Sequence, residues 1–229
     1  MHELAGLARG RGRMPEGTNC IGVGAATRCR LLATCVALAI ALMLASVATA
    51  AEAQSINSVT TKFDSKRCRH TPGRDAEDYG SWRCTGYDGI AVRLSAGDQR
   101  MQVSFGREAA RELAARQTFP AFNSVYEGTI DWRLERRPNA RPRPFATILR
   151  WNVRRQDDER NSTGRVLVVT RLNPGGVCHV GYVDARANAN ANELARQMAD
   201  ELARTFQCGK DKPVVRGQVS AGQSMPRAD

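Results

Sequence analysis

Cys178 and His179 are adjacent in the segment VCHVGYVDAR, and Asp184 follows a few residues later. A cysteine beside a histidine can form a nucleophilic pair, because a nearby imidazolium stabilises the thiolate. Cysteine and histidine are also the ligands of structural zinc, and Cys68 and His70 supply a second pair in the segment CRH. The third possibility is a disulfide bond. The elements that carry these residues discriminate among the three.

The valine-rich, alternating segment VCHVGYV predicts a β-strand. Successive side chains of a strand point to opposite faces of the sheet, so Cys178 and His179 should diverge. A regular strand should also put Asp184 on the side opposite His179. This geometry disfavours a catalytic pair. The spacing of the cysteines and histidines matches no strong zinc pattern, although a metal site stays open as an alternative. We expect His179 to be a partly buried structural residue.

Four cysteines follow the first 53 residues, an even number that indicates disulfides in an exported protein: Cys68, Cys84, Cys178 and Cys208. They permit three pairings, of which we favour Cys68–Cys84 with Cys178–Cys208. The segment NELARQMADELARTF has apolar residues at steps of four, which predicts an amphipathic helix after the strand. The strand advances about 23 Å and the helix about 24 Å. A helix that folds back therefore returns Cys208 to the level of Cys178.

The first 53 residues have the order of a secretory signal peptide. Two arginines precede an apolar run over residues 31–47, and small residues follow it. Cleavage after Ala50 or Ala53 would leave a single domain over residues 54–208 that keeps the basic character of the chain. The alternative is an uncleaved membrane anchor, for which the apolar run is slightly short.

Alternating apolar residues predict an antiparallel sheet in this domain. The segment GIAVRLSAGDQRMQVSFG predicts a hairpin, and strands follow in TIDWRLE, PFATILRWNV and RVLVVTRL. Consecutive strands with short connections are typical of a meander. With the C-terminal helix packed on one face and stapled by a disulfide, the predicted class is α+β. The segment REAARELAARQ predicts a short helix, and residues 209–229 lack a core pattern and are predicted to be disordered.

Three segments together resemble a group of uncharacterised exported proteins of alphaproteobacteria. They are CTGYDGIAVRLSAGDQRMQVSFG, FATILRW and VCHVGYVDARANANANELARQMADELARTFQCG. The resemblance covers most of the chain after the predicted signal peptide. It implies an extracytoplasmic location and implies no activity.

The sequence contains no glycine-rich phosphate loop, no nucleophile-elbow serine and no HExxH zinc motif, and we expect neither a cofactor nor a metal. In an enzyme without a recognisable motif, such as a hydrolase, the best acid–base residues would be Asp131, Glu135 or Asp184. A second class is an inhibitor of an envelope-directed enzyme such as lysozyme, although the basic charge that remains after residue 53 would repel a basic partner. Nucleic acid is a poor fit, because the aromatic residues fall on the expected core faces.

The loop between TIDWRLE and PFATILRW reads RRPNARPR and contains no acidic residue. Its arginines and one arginine before the NPGG turn should lie at the same end of the sheet: Arg136, Arg137, Arg141, Arg143 and Arg171. The prolines restrict the loop and lower the entropy lost on ordering. We therefore favour a non-catalytic periplasmic or secreted module that binds an anionic envelope component, lipopolysaccharide or another phosphate-rich polymer. The alternative is a solvated loop that keeps the protein dispersed.

Overall fold

The computed structural model describes residues 55–75, 77–156 and 162–226. Within these ranges the chain forms eleven strands, one α-helix and three short 3-10 turns. The strands are β1 Ser55–Asp64, β2 Arg69–Thr71, β3 Asp78–Thr85, β4 Ala91–Gly97, β5 Arg100–Phe105, β6 Asn123–Ser124, β7 Glu127–Arg136, β8 Arg143–Arg154, β9 Thr163–Arg171, β10 Cys178–Asp184 and β11 Val214–Val215, and the helix is α1 Ala191–Leu202. The predicted signal peptide and its cleavage sites lie outside the described residues.

The larger sheet has the strand order β1-β7-β8-β9-β10-β11, with the short β6 also paired to β8. Strands β7 to β10 are consecutive and antiparallel, which confirms the predicted meander. Strand β9 lies between two neighbours, and its apolar residues are buried on both faces. The α+β class is therefore confirmed.

A second sheet of four strands, in the order β2-β3-β4-β5, adds a layer to the predicted architecture. It contains the predicted hairpin as β4 and β5, and its apolar face packs against the larger sheet, with Phe105 edge-on to Trp132 at 5.6 Å between ring centroids. The physical reason is that β8 is apolar on both faces. Leu149 and Trp151 face the second sheet, whereas Ile148 faces the helix, so a single helix leaves one apolar face uncovered.

Helix α1 packs on the other face of the larger sheet. Ala195, Met198 and Ala199 are buried there among residues of β8, β9 and β10. Two ion pairs fasten the helix to β7: Arg133 Nε donates to Asp200 at 2.8 Å, and Arg196 Nε donates to Asp131 at 2.8 Å. The helix thus covers the apolar residues that three adjacent strands present on this face, and it does so with the apolar side that its sequence period predicts. No helix in the described ranges is long and apolar enough to cross a membrane.

Both predicted disulfides are present. The Cα atoms are 4.7 Å apart in Cys68–Cys84 and 5.7 Å apart in Cys178–Cys208. The first bridge ties the second sheet to the turn after β1, and the second ties β10 to the segment after α1. Two disulfides in one domain are typical of extracytoplasmic proteins, because the cytosol keeps thiols reduced.

Two segments differ from the sequence prediction. The alanine-rich segment after β5 forms turns and a 3-10 turn at Leu113–Arg116 instead of a regular helix, because Ala114 packs into the core and donates its N–H to the Val177 carbonyl. The part of the tail up to residue 226 is not disordered: β11 pairs in parallel with β10 at Gly181 and Tyr182. Backbone hydrogen bonds hold this strand in place. Because such bonds do not require an apolar sequence pattern, the strand could not be predicted from one.

Candidate anion-binding site

The Cys178–His179 pair is structural. Cys178 is bonded to Cys208 and has no free thiol. The His179 side chain is fully buried between the aromatic rings of Trp151 and Tyr182, and its Nδ1 lies 3.0 Å from the Tyr182 hydroxyl. Burial lowers the pKa of His179 to about 3, so the imidazole is neutral at physiological pH. It is more deeply buried than the sequence predicted. The described ranges hold no group of three or more side chains suited to a metal ion.

The carboxylates considered for acid–base chemistry all have partners within the fold. Asp131 pairs with Arg196, and Glu135 is buried and lies 3.3 Å from Arg137. Asp184 is buried at the end of β10. Burial opposes its ionisation, but hydrogen bonds from the backbone N–H groups of Ser220, Arg186 and Ala187 outweigh that effect and lower the pKa of Asp184. These contacts account for the three carboxylates without a catalytic role.

The predicted arginine loop is exposed between β7 and β8. Arg136, Arg137, Arg141 and Arg143 all face solvent there. Arg137 and Arg143 also line a small pocket of about 180 Å³ at the C-terminal end of the helix. The loop therefore lies at the same end of the sheet as the Asn173–Gly176 turn, as the sequence predicts.

Arg171 is not available to a ligand in the way the sequence predicted. It is only 9% exposed, and its Nη1 donates to the carbonyls of Ala203, Arg204 and Phe206 at 2.7–3.1 Å, while Nη2 donates to Pro174. These are carbonyls at the C-terminal end of α1, which carry partial negative charge and lack partners within the helix. Arg171 thus caps the helix and holds the Asn173–Gly176 turn against it.

We expect Arg171→Met to lower the free energy of unfolding by about 2–3 kcal/mol, because several buried carbonyls lose a charged donor. The matched control is Arg204→Met, which removes an exposed guanidinium that lies 5.0 Å from the Phe145 ring and should cost less than about 1 kcal/mol. Urea denaturation of the two variants measures the difference. Equal losses would show that Arg171 does not cap the helix.

A more concentrated basic surface lies on the second sheet. Arg69, Arg83 and Arg93 stand on three adjacent strands in direct register, with Arg69 opposite Arg83 and Arg83 opposite Arg93. Within the ranges that the structure describes, none of the three guanidinium groups has a hydrogen-bonding or ion-pair partner. Like charges directly opposite each other on neighbouring strands destabilise a sheet. The row is therefore an unbalanced charge that a bound anion would neutralise.

Further cations surround this row. A wide pocket of about 920 Å³ borders it on one side and adds Lys62 and Arg67, and a smaller one of about 280 Å³ adds Arg107. We call the surface formed by these six residues the arginine face: Lys62, Arg67, Arg69, Arg83, Arg93 and Arg107. The carboxylates of Asp64 and Glu127 also line the wide pocket, where β1 meets β7. The arginine face can hold a ligand with several negative charges.

The arginine face was not predicted from the sequence, although one signal pointed to it. Arg69 and Arg83 each adjoin a cysteine of the Cys68–Cys84 bridge, so the predicted disulfide already brought them together. Arg93 lies in the predicted hairpin, but its register against β3 depends on a pairing between strands that the hairpin alone does not define.

Comparisons with protein-family models, with curated proteins and with solved structures each find no match to this chain. The resemblance to exported proteins of alphaproteobacteria therefore stays a prediction.

Proposed function

We propose that this chain is a non-catalytic exported module that binds an anionic component of the cell envelope, a phosphate-rich polymer such as lipopolysaccharide, at the arginine face. The observation that carries the proposal is the unpartnered row of Arg69, Arg83 and Arg93. Arginine is suited to this role, because its planar guanidinium donates two parallel hydrogen bonds to phosphate or carboxylate.

The geometry of the row supports a ligand with repeated charges. Neighbouring strands of a sheet lie about 4.8 Å apart, so three arginines in register span about 10 Å across the strands. One small anion would neutralise only part of that length. A polymer with several phosphate or carboxylate groups would contact all three guanidinium groups at once.

The compartment is part of the proposal. Two disulfides, together with the signal-like sequence before residue 54, support a periplasmic or secreted protein. Anionic polymers are abundant at that location. The structure offers less support for the other classes, since the carboxylates expected of a hydrolase have partners within the fold and a chain of charge +11 would repel a basic enzyme such as lysozyme.

The loop of Arg136, Arg137, Arg141 and Arg143 is a second contact in this proposal. It is exposed and lies beside a pocket, but Arg137 already contacts a carboxylate, and the loop shows no cross-strand row. We therefore expect the loop to contribute less to binding than the arginine face does. The two surfaces can be compared directly because each can be neutralised by substitution.

We expect replacement of Arg69, Arg83 and Arg93 by serine to weaken binding of lipopolysaccharide and of linear polyphosphate by at least about tenfold, equivalent to about 1.4 kcal/mol. The matched control replaces Arg136, Arg137, Arg141 and Arg143 by serine. It removes four charges rather than three, yet it should weaken binding less. Fluorescence anisotropy at two salt concentrations measures both effects, and affinity of the parent should fall as salt rises.

A larger loss of affinity in the four-arginine control would show that the loop, and not the arginine face, is the main binding site. Absence of binding by the parent, or binding that salt does not weaken, would refute the proposed function. Thermal unfolding of both variants checks that they remain folded. Exposed charges contribute little to stability, but the control also removes Arg137, the partner of the buried Glu135.

A further inference from the structure

The arginine face opens into a longer groove between the two sheets. The wide pocket beside it shares Asp64 and Glu127 with a second pocket of about 510 Å³, and that pocket shares Ser124, Tyr126 and Asn152 with a third of about 440 Å³. The three pockets therefore adjoin one another along the same side of the molecule. We call them together the groove. Its shape suits an elongated ligand rather than a single small molecule.

Aromatic side chains line the groove beyond the arginine face. Tyr79 and Tyr126 are 45% and 43% exposed, and they are among the few large apolar side chains that the described part of the chain leaves in solvent. Trp82 lies beside them and meets the Tyr126 ring edge-on at 5.7 Å. Exposed aromatic rings that share one concave surface are typical of binding sites, because they supply rigid contact area at little cost in entropy.

The polar groups between the rings can both donate and accept hydrogen bonds. The side chains of Ser124 and Asn152 line the groove and form no hydrogen bond within the described ranges. Asp64 and Glu127 stand opposite each other at the ends of β1 and β7 and add acceptors. Sugar hydroxyls need this mixture, since each hydroxyl donates one hydrogen bond and accepts others.

We propose that the groove binds an anionic polysaccharide, whose sugar rings lie against Tyr79 and Tyr126 and whose charged groups contact the arginine face. This inference rests on the proposed function, because the arginine face supplies the contacts to the charges. It narrows the ligand from any phosphate-rich or other anionic polymer to one built of sugar rings. The occupant has ring faces for the aromatic residues, hydroxyls for the polar ones and negative charges for the arginines.

Two other polymers fit the groove less well. A lipid chain would need a mainly apolar lining, whereas this lining mixes polar and apolar surface in nearly equal parts. Single-stranded nucleic acid also combines stacking with charge. Its backbone carries a charge at every nucleotide, however, and would bring phosphates close to the paired carboxylates of Asp64 and Glu127 in the middle of the groove. A polysaccharide with uncharged rings between its charges avoids that repulsion.

The experiment compares two anionic probes of similar charge on three proteins. The probes are a hyaluronan oligosaccharide, in which charged and uncharged rings alternate, and linear polyphosphate, which has no rings. The proteins are the parent, the variant Tyr79→Ala/Tyr126→Ala and the variant Tyr79→Phe/Tyr126→Phe. We expect the alanine variant to bind the oligosaccharide about tenfold more weakly than the parent and to bind polyphosphate unchanged. The phenylalanine variant should bind both probes nearly as the parent does, because it keeps the rings.

The outcomes separate this inference from the proposed function. If the parent binds polyphosphate through the arginine row but the alanine variant loses nothing on the oligosaccharide, the groove is not a saccharide site while the anion-binding function stands. Equal losses on both probes in the alanine variant overturn the inference as well, as does tighter binding of oligothymidylate than of the oligosaccharide by the parent. If the parent binds neither anionic probe, both the inference and the proposed function fail.

Discussion

Acidification should destabilise the protein well above the pH at which carboxylates are protonated. His179 has a pKa of about 3 in the folded protein and 6.5 as its ordinary value. Between these values the unfolded chain binds one more proton than the folded chain, so the stability that the neutral imidazole provides is fully present above pH 6.5 and is lost as the pH falls. We expect the free energy of unfolding to decrease by about 1.4 kcal/mol per pH unit in this window, and by about 4–5 kcal/mol in total at pH 3.

The physical reason is the environment of the imidazole. The imidazole lies against the rings of Trp151 and Tyr182, and Phe119 packs on Tyr182. Among the described residues, no carboxylate lies against the imidazole that could stabilise a positive charge. Its Nε2 has no hydrogen-bond partner at all within those residues. Protonation in place would therefore leave a buried, unpaired charge, and unfolding relieves it.

The matched variant is His179→Phe. It keeps an aromatic ring of similar size and loses one hydrogen bond to the Tyr182 hydroxyl, at a cost of about 1 kcal/mol. Urea denaturation from pH 4 to pH 7 should show a steep slope for the parent and a nearly flat curve for the variant. Protonation of Asp184 in the unfolded chain also lowers stability as the pH falls, but only near the ordinary pKa of 3.8, which is below most of this pH range. Equal slopes in the two proteins would show that His179 is protonated without unfolding.

Removal of the Cys178–Cys208 bridge should be the second large effect. The bridge closes a loop with a sequence separation of 30 residues, which contains the whole of α1. In the chain-entropy description such a crosslink stabilises by about 3–4 kcal/mol. We therefore expect Cys178→Ala/Cys208→Ala to lower the free energy of unfolding by that amount, measured as a shift of the urea midpoint under non-reducing conditions.

The other bridge provides the control for function. Cys68→Ala/Cys84→Ala should cost about 3 kcal/mol, since its loop has a separation of 16 residues. It should also weaken anion binding, because the bridge holds Arg69 beside Arg83. The Cys178–Cys208 variant, if it remains folded, should bind anions like the parent. If the Cys178→Ala/Cys208→Ala variant loses well under 1 kcal/mol of stability, packing alone holds the helix on the sheet.

The sequence determined the local elements and their class. Alternation of apolar residues predicted the hairpin and the strands of the meander, and the period of four predicted α1, because these periods follow from backbone geometry. Cysteine number and the lengths of one strand and one helix were enough to predict the two disulfides. The same alternation predicted that Cys178 and His179 diverge and so excluded a nucleophilic pair. In the structure Cys178 is bonded to Cys208 and His179 is fully buried.

Only the tertiary structure decided what depends on contacts between distant segments. The register of β2, β3 and β4 aligns three arginines that lie up to 24 positions apart, and no local pattern specifies that register. The same holds for Arg171, whose position beside a basic loop indicated a ligand, whereas its guanidinium is used by the C-terminal carbonyls of α1. Strand β11 pairs through its backbone, which every sequence possesses. Sequence therefore predicted what each segment would form, and packing determined which charged side chains were left without partners.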